Sequence, residues 1–355
     1  MSEDHADAPL TIAGRAIGPG HPVYVVAELS ANHGGRLERA LELVDASAAA
    51  GADAVKIQTY RADLMTIDAD SECFTVSGGT AWDGRTLYDL YDEAATPWEW
   101  TGALQERAGE QGIHLFSTPF GAPAVDFLEQ YSLPAYKIAS FELVDTAFIE
   151  RVAATGRPLI MSTGMATVEE IDEAVAVARA AGADQLALLR CNSAYPAPPE
   201  EMDLVTMVDM AERWGLPVGL SDHTSGWTVA VAAVALGASI VEKHVTRSRR
   251  DPTPDAAFSL EPDELAELVC QVRQAEAALG HVRYGPSEHE QASMAFRRSL
   301  FAVRDIRAGA EISRDDVAVI RPGWGLGPKH LDEVLARRAG VDIARGTPIS
   351  WELLT

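Results

Sequence analysis

Eight short runs rich in valine, isoleucine, leucine and alanine recur along the chain, at 23–29, 54–60, 114–120, 135–140, 158–164, 185–191, 217–223 and 239–245. Each has the length of a strand and is apolar on both sides, the pattern of a strand buried on both faces of a parallel sheet. Between them lie stretches of helical periodicity, clearest at 37–50, 168–181 and 262–279. Gly51, Gly182 and Gly280 stand just past these three as C-terminal stops. Eight strand–helix units predict an α/β protein built on a closed (β/α)8 TIM barrel over residues 1–280. An open doubly wound sheet is the alternative, but no glycine-rich dinucleotide turn supports it.

Two stretches depart from this rhythm. Residues 61–111, between the second and third runs, form a long insertion carrying Trp82, Tyr88, Tyr91, Trp98 and Trp100. It follows a barrel strand, so it falls on the face where barrel active sites sit. A lid and a satellite hydrophobic cluster are equally compatible with it. Past Gly280, residues 281–298 are polar and contain Gly285-Pro286, as a linker would. The remainder, 299–355, contains an internal echo: Asp305-Ile-Arg-Ala-Gly-Ala-Glu-Ile-Ser313 against Asp342-Ile-Ala-Arg-Gly-Thr-Pro-Ile-Ser350. Two such pieces about a helix at 329–339 predict a small pseudo-symmetric β module.

The ends of the eight runs converge on polar residues that core strands do not need. Glu28, Ser30, Asn32 and His33 follow the first, Lys56 and Gln58 lie in the second, and Ser117 and Thr118 in the third. Lys137 and Ser140 follow, then Ser162 and Thr163, Ser193 and Tyr195, Ser221-Asp222-His223, and Glu242-Lys243-His244. In a barrel these ends share one face whatever their sequence separation. Only four of the 29 basic residues are lysines, and three of those four, Lys56, Lys137 and Lys243, lie at these ends, with Lys329 apart. That clustering predicts an anion site, since a compact ammonium and an arginine are not interchangeable there. His223 and His244 end neighbouring strands and are candidates to share a divalent ion in an open site. Mn²⁺ heads that expectation, with Mg²⁺ or Co²⁺ as alternatives. His33 and His114 stay ambiguous. Glu28 and Asp255 are candidate acid/base groups or simply ion-pair partners of the lysines.

Charge and composition narrow the classes. A formal net charge of −24 argues against nucleic acid and anionic membrane as partners. The acidic, polar first residues do not read as a secretory signal, and three scattered cysteines do not read as a disulfide framework. A cytoplasmic protein is expected.

The residues also carry a resemblance. Ala27-Glu28-Leu-Ser-Ala-Asn-His33, Asp53-Ala-Val-Lys56-Ile-Gln58-Thr, Tyr136-Lys137-Ile-Ala-Ser140, Ser162-Thr-Gly-Met165, Gly219-Leu-Ser-Asp-His223-Thr and Glu242-Lys-His244 resemble the sialic acid synthase family. The last segment, with Arg321-Pro-Gly-Trp-Gly-Leu326, is similar to that family's antifreeze-like (SAF) domain. Within the family, Trp82-Asp-Gly-Arg-Thr-Leu-Tyr-Asp-Leu-Tyr91, Thr96-Pro-Trp-Glu-Trp100, Ser193-Ala-Tyr-Pro-Ala-Pro-Pro199 and Ala257-Phe-Ser-Leu-Glu-Pro262 look most like the pseudaminic acid synthases, with N-acetylneuraminate and legionaminate synthases as alternatives. The loop 246–255 departs from the pattern: Pro252 and Thr253 stand where relatives carry glycines, and Ser248 where they carry an acid.

The resemblance implies an enzyme condensing phosphoenolpyruvate with an amino-sugar aldehyde. Lys56, Lys137, Thr118, Ser162, Ser193 and Ser221 would hold phosphoenolpyruvate, and a metal on His223 and His244 would polarise the aldehyde. The added water would be deprotonated by Glu28 or delivered from the metal, while Asp255, Gln58 and Tyr195 position the sugar. It also implies a domain-swapped homodimer in which Arg321 reaches the partner's site. Two rivals stand beside it: a Schiff-base aldolase using a strand lysine, and a non-catalytic carbohydrate-binding protein built around the last module.

Overall fold

Two short strands, β1 (Leu10–Ile12) and β2 (Arg15–Ile17), pair antiparallel ahead of the first apolar run and were not foreshadowed by the pattern. The eight runs themselves become β3 (Tyr24–Glu28), β4 (Ala54–Thr59), β5 (His114–Pro119), β6 (Tyr136–Ile138), β7 (Leu159–Ser162), β8 (Leu186–Cys191), β9 (Val218–Asp222) and β10 (Ile240–His244). They are parallel and closed, with β10 returning to β3 so that His244 stands opposite Glu28. The doubly wound alternative is therefore excluded. The computed structural model describes residues 10–77 and 82–355. Its two units, Met1–Gly280 and His281–Thr355, are each described by themselves.

The connecting helices are α1 (Leu37–Ala49), α2 (Ala62–Met65), α3 (Leu87–Ala94), α4 (Thr101–Glu110), α5 (Ala122–Leu128), α6 (Thr146–Ala153), α7 (Val168–Ala180), α8 (Thr206–Trp214), α9 (Thr228–Ala235) and α10 (Pro262–Leu279). Their apolar stripes and the outward-facing strand residues form the main core, including Leu43, Ile57, Leu104, Ile149, Leu188, Leu220 and Leu268. The starts of α7 and α10 are closed by reciprocal capping boxes, Thr167 with Glu170 and Glu261 with Glu264, which satisfy the free amides of the first turn.

A second core fills the barrel. Tyr24, Val26, Ala54, Phe116, Ala135, Ile160, Ala187, Leu189 and Ile240 pack with Leu10, Ile12 and Ile17, so the β1–β2 hairpin plugs the N-terminal end. Side chains two apart on a strand point the same way. Two positions beyond these interior residues, on the same faces, come Glu28, Lys56, Thr118, Lys137, Ser162, Cys191 and Glu242. The interior is thus apolar at one end and polar at the other. Gly219 lies between the two: a Cβ there would stand 2.4 Å from Ile240 O and 2.7 Å from Leu189 Cδ2.

In the C-terminal unit β11 (Ser299–Ala302) pairs antiparallel with β12 (Val317–Ile320) around Leu300, Ile306, Val334, Ile343 and Ile349. The echo pairs with itself: Ile306 and Ile343 exchange backbone hydrogen bonds of 2.8 Å. Asp342 accepts from Ala308 N at 2.7 Å, and Asp305 from Arg345 N at 2.8 Å, a reciprocal arrangement. The helix between the repeats, α11 (Leu331–Leu335), is shorter than the periodicity suggests. Beyond it Arg338 and Ala339 leave the helix to bridge Glu311 and Leu354.

Candidate active site

At the C-terminal ends of the barrel strands two lysines and two glutamates occupy a fully enclosed interior layer. Lys56 Nζ lies 2.5 Å from Glu28 Oε2 and 3.5 Å from Glu242 Oε1, and donates to Thr118 Oγ1 at 3.0 Å. Lys137 Nζ lies 3.5 Å from the same Glu242 oxygen, which also accepts from Ser221 Oγ at 3.2 Å. Burial pushes the Glu28 carboxyl up to about 7 against the pull of Lys56. A carboxyl poised there exchanges a proton at neutral pH.

The third expected lysine is not part of this layer. One residue out of phase on β10, Lys243 turns to the barrel's outer side, where its Nζ donates to Asp222 Oδ2 at 2.8 Å and to the Thr224 carbonyl. The interior layer therefore holds two lysines, not three. Hydroxyls extend it. Ser162 Oγ is buried without a hydrogen-bond partner, and the next turn packs Gly164 against Ser140 and Ser193. A Cβ at Gly164 would lie 2.4 Å from Ser193 Oγ and 2.7 Å from Ser140 Oγ, so only glycine lets these hydroxyls converge.

Beside this layer stand the two histidines, ring centroids 5.3 Å apart. His223 Nδ1 faces the Asn192 carbonyl at 2.7 Å, which fixes its proton and leaves Nε2 as the free lone pair. His244 Nδ1 is buried with no hydrogen-bond partner, 3.8 Å from Asp255 Oδ2. Burial, reinforced by His223 and Lys56, holds His244 well below the ordinary imidazole range, so it stays a neutral donor. Among the described residues no group of three or more His, Cys, Asp and Glu forms a metal cage. Against burial, Cys191 and the Asn192 carbonyl instead raise the His223 imidazole. A neutral imidazole with an orphaned nitrogen, beside a second whose Nδ1 is held by a carbonyl, would fit a divalent ion held by few protein ligands.

Asp255 is buried, and Ser30 Oγ donates to it. Its loop is fastened by Asn32, which donates to Val245 O and Ser259 Oγ at 2.8 Å and accepts from Thr253 Oγ1 at 2.8 Å. The threonine that departs from the family pattern is therefore a tether. Tyr195 lies against His223 at 4.3 Å between ring centroids and against Phe258 at 5.2 Å. Gln58 stands opposite Thr118 in the register of β4 and β5. Arg321 is exposed in the C-terminal unit, one residue past β12.

The ambiguous histidines are resolved. His33 is buried against Trp100 and Thr96, and burial lowers it to about 4. His114 begins β5 and pairs with Tyr24 OH at 2.7 Å, at the plugged end of the barrel. The 61–111 insertion is largely a satellite cluster: Tyr60, Tyr91, Phe120 and Ala94 pack together, and Trp98 donates to Tyr60 O. Trp82 is different, reaching Tyr195 at 5.8 Å between ring centroids. An open cleft of about 640 Å³ within the insertion, lined by Arg61, Tyr88 and Trp98, contains none of the expected site residues.

Three residues were given no role by the sequence reading. Glu242 was visible only as part of a motif, although strand parity alone directs it inward. Glu142, two residues past Ser140, has a buried Oε2 without a partner, and burial pushes its carboxyl up to about 7. Trp82 stood in the aromatic insertion and opened the motif that looks like the pseudaminic acid synthases, but it was given no role of its own.

A closed barrel with this polar mouth, followed by a small clip-like β unit, defines a class, and the comparisons agree with it. The chain belongs to the NeuB family, which it matches over residues 43–284, and it carries a SAF domain over 297–355. It is 43% identical to a pseudaminic acid synthase of Campylobacter jejuni over 91% of this chain and 94% of the relative. It is 40% identical to a pseudaminic acid synthase of Helicobacter pylori, covering 93% and 97%. Among solved structures, the N-acetylneuraminic acid synthetase of Leptospira borgpetersenii, in complex with citrate, superposes with a TM-score of 0.72 at 31% identity, covering 81% and 95%.

Proposed function

We propose that this enzyme condenses phosphoenolpyruvate with 2,4-diacetamido-2,4,6-trideoxy-L-altrose and water, giving pseudaminic acid and phosphate. The observation that carries the reading is the juxtaposition of two buried lysines and the unpartnered Ser162 hydroxyl with a pair of adjacent histidines at one barrel mouth. The similarity to pseudaminic acid synthases over nine-tenths of the chain supports the choice of sugar.

The phosphate and carboxylate of phosphoenolpyruvate would take Lys56, Lys137, Thr118, Ser162, Ser193 and Ser221, charge-assisted bonds in a site with little water. Phosphate on Lys56 frees Glu28 from its ion pair. Asp255, Gln58 and Tyr195 would orient the open-chain sugar so that its aldehyde carbon faces the methylene carbon of phosphoenolpyruvate. A Mn²⁺ ion on His223 and His244 would supply Lewis acidity at the aldehyde oxygen. As the new C–C bond forms, positive character develops on the adjacent carbon. Water adds there, Glu28 takes its proton, and the phosphate departs with its bridging oxygen as the keto group forms.

We further infer a homodimer in which Arg321 completes the partner's sugar site. Its exposure, and that of Trp324 at 74%, support an unfilled surface on the C-terminal unit. No helix among the described residues is long and apolar enough to cross a membrane, and the three cysteines are unpaired, which suits the reducing cytoplasm.

The deciding experiment is phosphate release from phosphoenolpyruvate with a panel of amino-sugar aldehydes after chelation and Mn²⁺ restoration. Turnover with the trideoxy sugar and little with N-acetylmannosamine is expected. The reverse preference moves the enzyme to the N-acetylneuraminate branch, and activity in metal-free protein removes the metal. A purified heterodimer of wild type with the Arg321→Ala, His223→Ala double variant should be nearly inactive; half activity removes the swap.

A further inference from the structure

Among the described residues of the insertion, Trp82 leaves the cluster for the barrel mouth, where both its ring and its indole N–H are engaged. Its ring packs on Tyr195, and its indole Nε1 donates to Pro254 O at 3.1 Å. Tyr195 in turn packs on Phe258 and on both histidines, and Phe258 lies 5.2 Å from the His244 ring. Trp82, Tyr195 and Phe258 therefore form a contiguous aromatic surface running from the metal-binding pair toward the insertion. The indole N–H is spent on a backbone carbonyl, so the ring offers apolar surface. That carbonyl belongs to the residue before Asp255, in the loop that Thr253 and Asn32 tether.

We propose that Trp82 is a specificity-determining residue that receives the apolar substituents of the sugar distal to its aldehyde. This rests on the proposed function and deepens it. With the aldehyde at the histidines, the sugar's remote carbons extend along the aromatic surface. The trideoxy sugar carries an acetamido methyl at position 4 and a methyl at position 6. N-acetylmannosamine carries hydroxyls at both, and burying a hydroxyl against the face of Trp82, whose N–H is already spent, is costly. Discrimination by such a wall amounts to about 10–200-fold per apolar group.

The test is steady-state kinetics of wild type, Trp82→Phe and Trp82→Ala with both sugars. In Trp82→Ala the ratio of kcat/KM for the trideoxy sugar to that for N-acetylmannosamine should collapse at least about tenfold, with the KM for phosphoenolpyruvate unchanged. Trp82→Phe should restore most of the ratio. An unchanged ratio in Trp82→Ala overturns the proposal, as does a loss shared equally by both sugars. Should Trp82→Ala fail to fold, Trp82→Gln, which keeps an N–H for Pro254 O and removes the ring, must lower the ratio likewise. Wild type that turns over neither sugar defeats the proposed function itself, whereas active wild type with an unaltered variant ratio defeats this inference alone.

Discussion

The two ends of the barrel interior are built on the same strands and the same faces, yet they differ in almost every physical respect. At the N-terminal end Tyr24, Phe116, Ile160 and Ile240 pack against Leu10, Ile12 and Ile17 of a dedicated plug. Two to four residues further along, Glu28, Lys56, Lys137, Ser162 and Glu242 replace them, with carboxylate and hydroxyl atoms left unpartnered. The first region is stabilised by burial and needs no ligand. The second costs stability, because ionised groups have been removed from water and only partly repaid. Two lysines face two glutamates there, so the resting layer carries little net charge.

The comparison breaks most decisively at the histidines. His223→Ala and His244→Ala should each lower kcat/KM by about 10³-fold or more. Each should also abolish tight Mn²⁺ binding measured by calorimetry, while leaving the melting temperature of the metal-free protein nearly unchanged. Retained Mn²⁺ binding in both would remove the assignment.

The lysines offer a paired test. Lys243→Ala strands the buried Asp222 carboxylate and should cost about 3–5 kcal/mol in urea unfolding. Lys137→Ala should leave unfolding far less affected and raise the KM for phosphoenolpyruvate about a hundredfold, roughly the 2.7 kcal/mol of a charged contact. Lys329→Ala should alter neither. If Lys137→Ala and Lys243→Ala behave alike, the inward and outward lysines have been wrongly distinguished.

At the plugged end, Ile12→Ala should destabilise by about 2–4 kcal/mol through the cavity it leaves. Both Michaelis constants should stay within error. A marked rise in either would show that the plug and the mouth are coupled.

The smallest effect is expected at Glu142. Its carboxyl is raised from 4.5 to about 7 by burial, so the folded protein binds a proton more tightly than the unfolded chain. The stability this contributes is complete below about pH 4.5 and is lost as pH rises through 7. Glu142→Gln should therefore gain about 1–2 kcal/mol over wild type at pH 8, discounted for partial exposure, and little at pH 4.5. An equal effect at both pH values would show that the carboxyl is not perturbed.

Much of this was legible before any coordinates. Strand and helix periods differ, and eight strand-length runs separated by helical patterns leave few topologies besides a barrel. Once the strands are placed, their polar ends must share a face, which is why Glu28, Lys56, Lys137, His223 and His244 could be gathered from across two hundred residues. The bounds of α10 match the reading, which took them from the helical pattern and from Gly280 as its stop. The pseudo-symmetry of the C-terminal echo was also visible, since equivalent sequences adopt equivalent turns, with Gly309 and Gly346 both at positive φ; that the two copies pair with each other was not.

Other features lay beyond local pattern. Lys243 and Glu242 are neighbours in sequence, and only the phase of the strand sends one outward to Asp222 and the other inward to the lysines. The hairpin plug was missed because its strands have three residues each, too few to show a period. The split of the insertion into a satellite cluster and a single arm, Trp82, depends on contacts with residues more than a hundred positions away. Composition and periodicity are properties of the chain and determined the barrel, the second unit and the residue types at the mouth. Which of those residues meet, which charges cancel and which atoms are left without partners depend on distances between strands, and these only closure of the barrel decided.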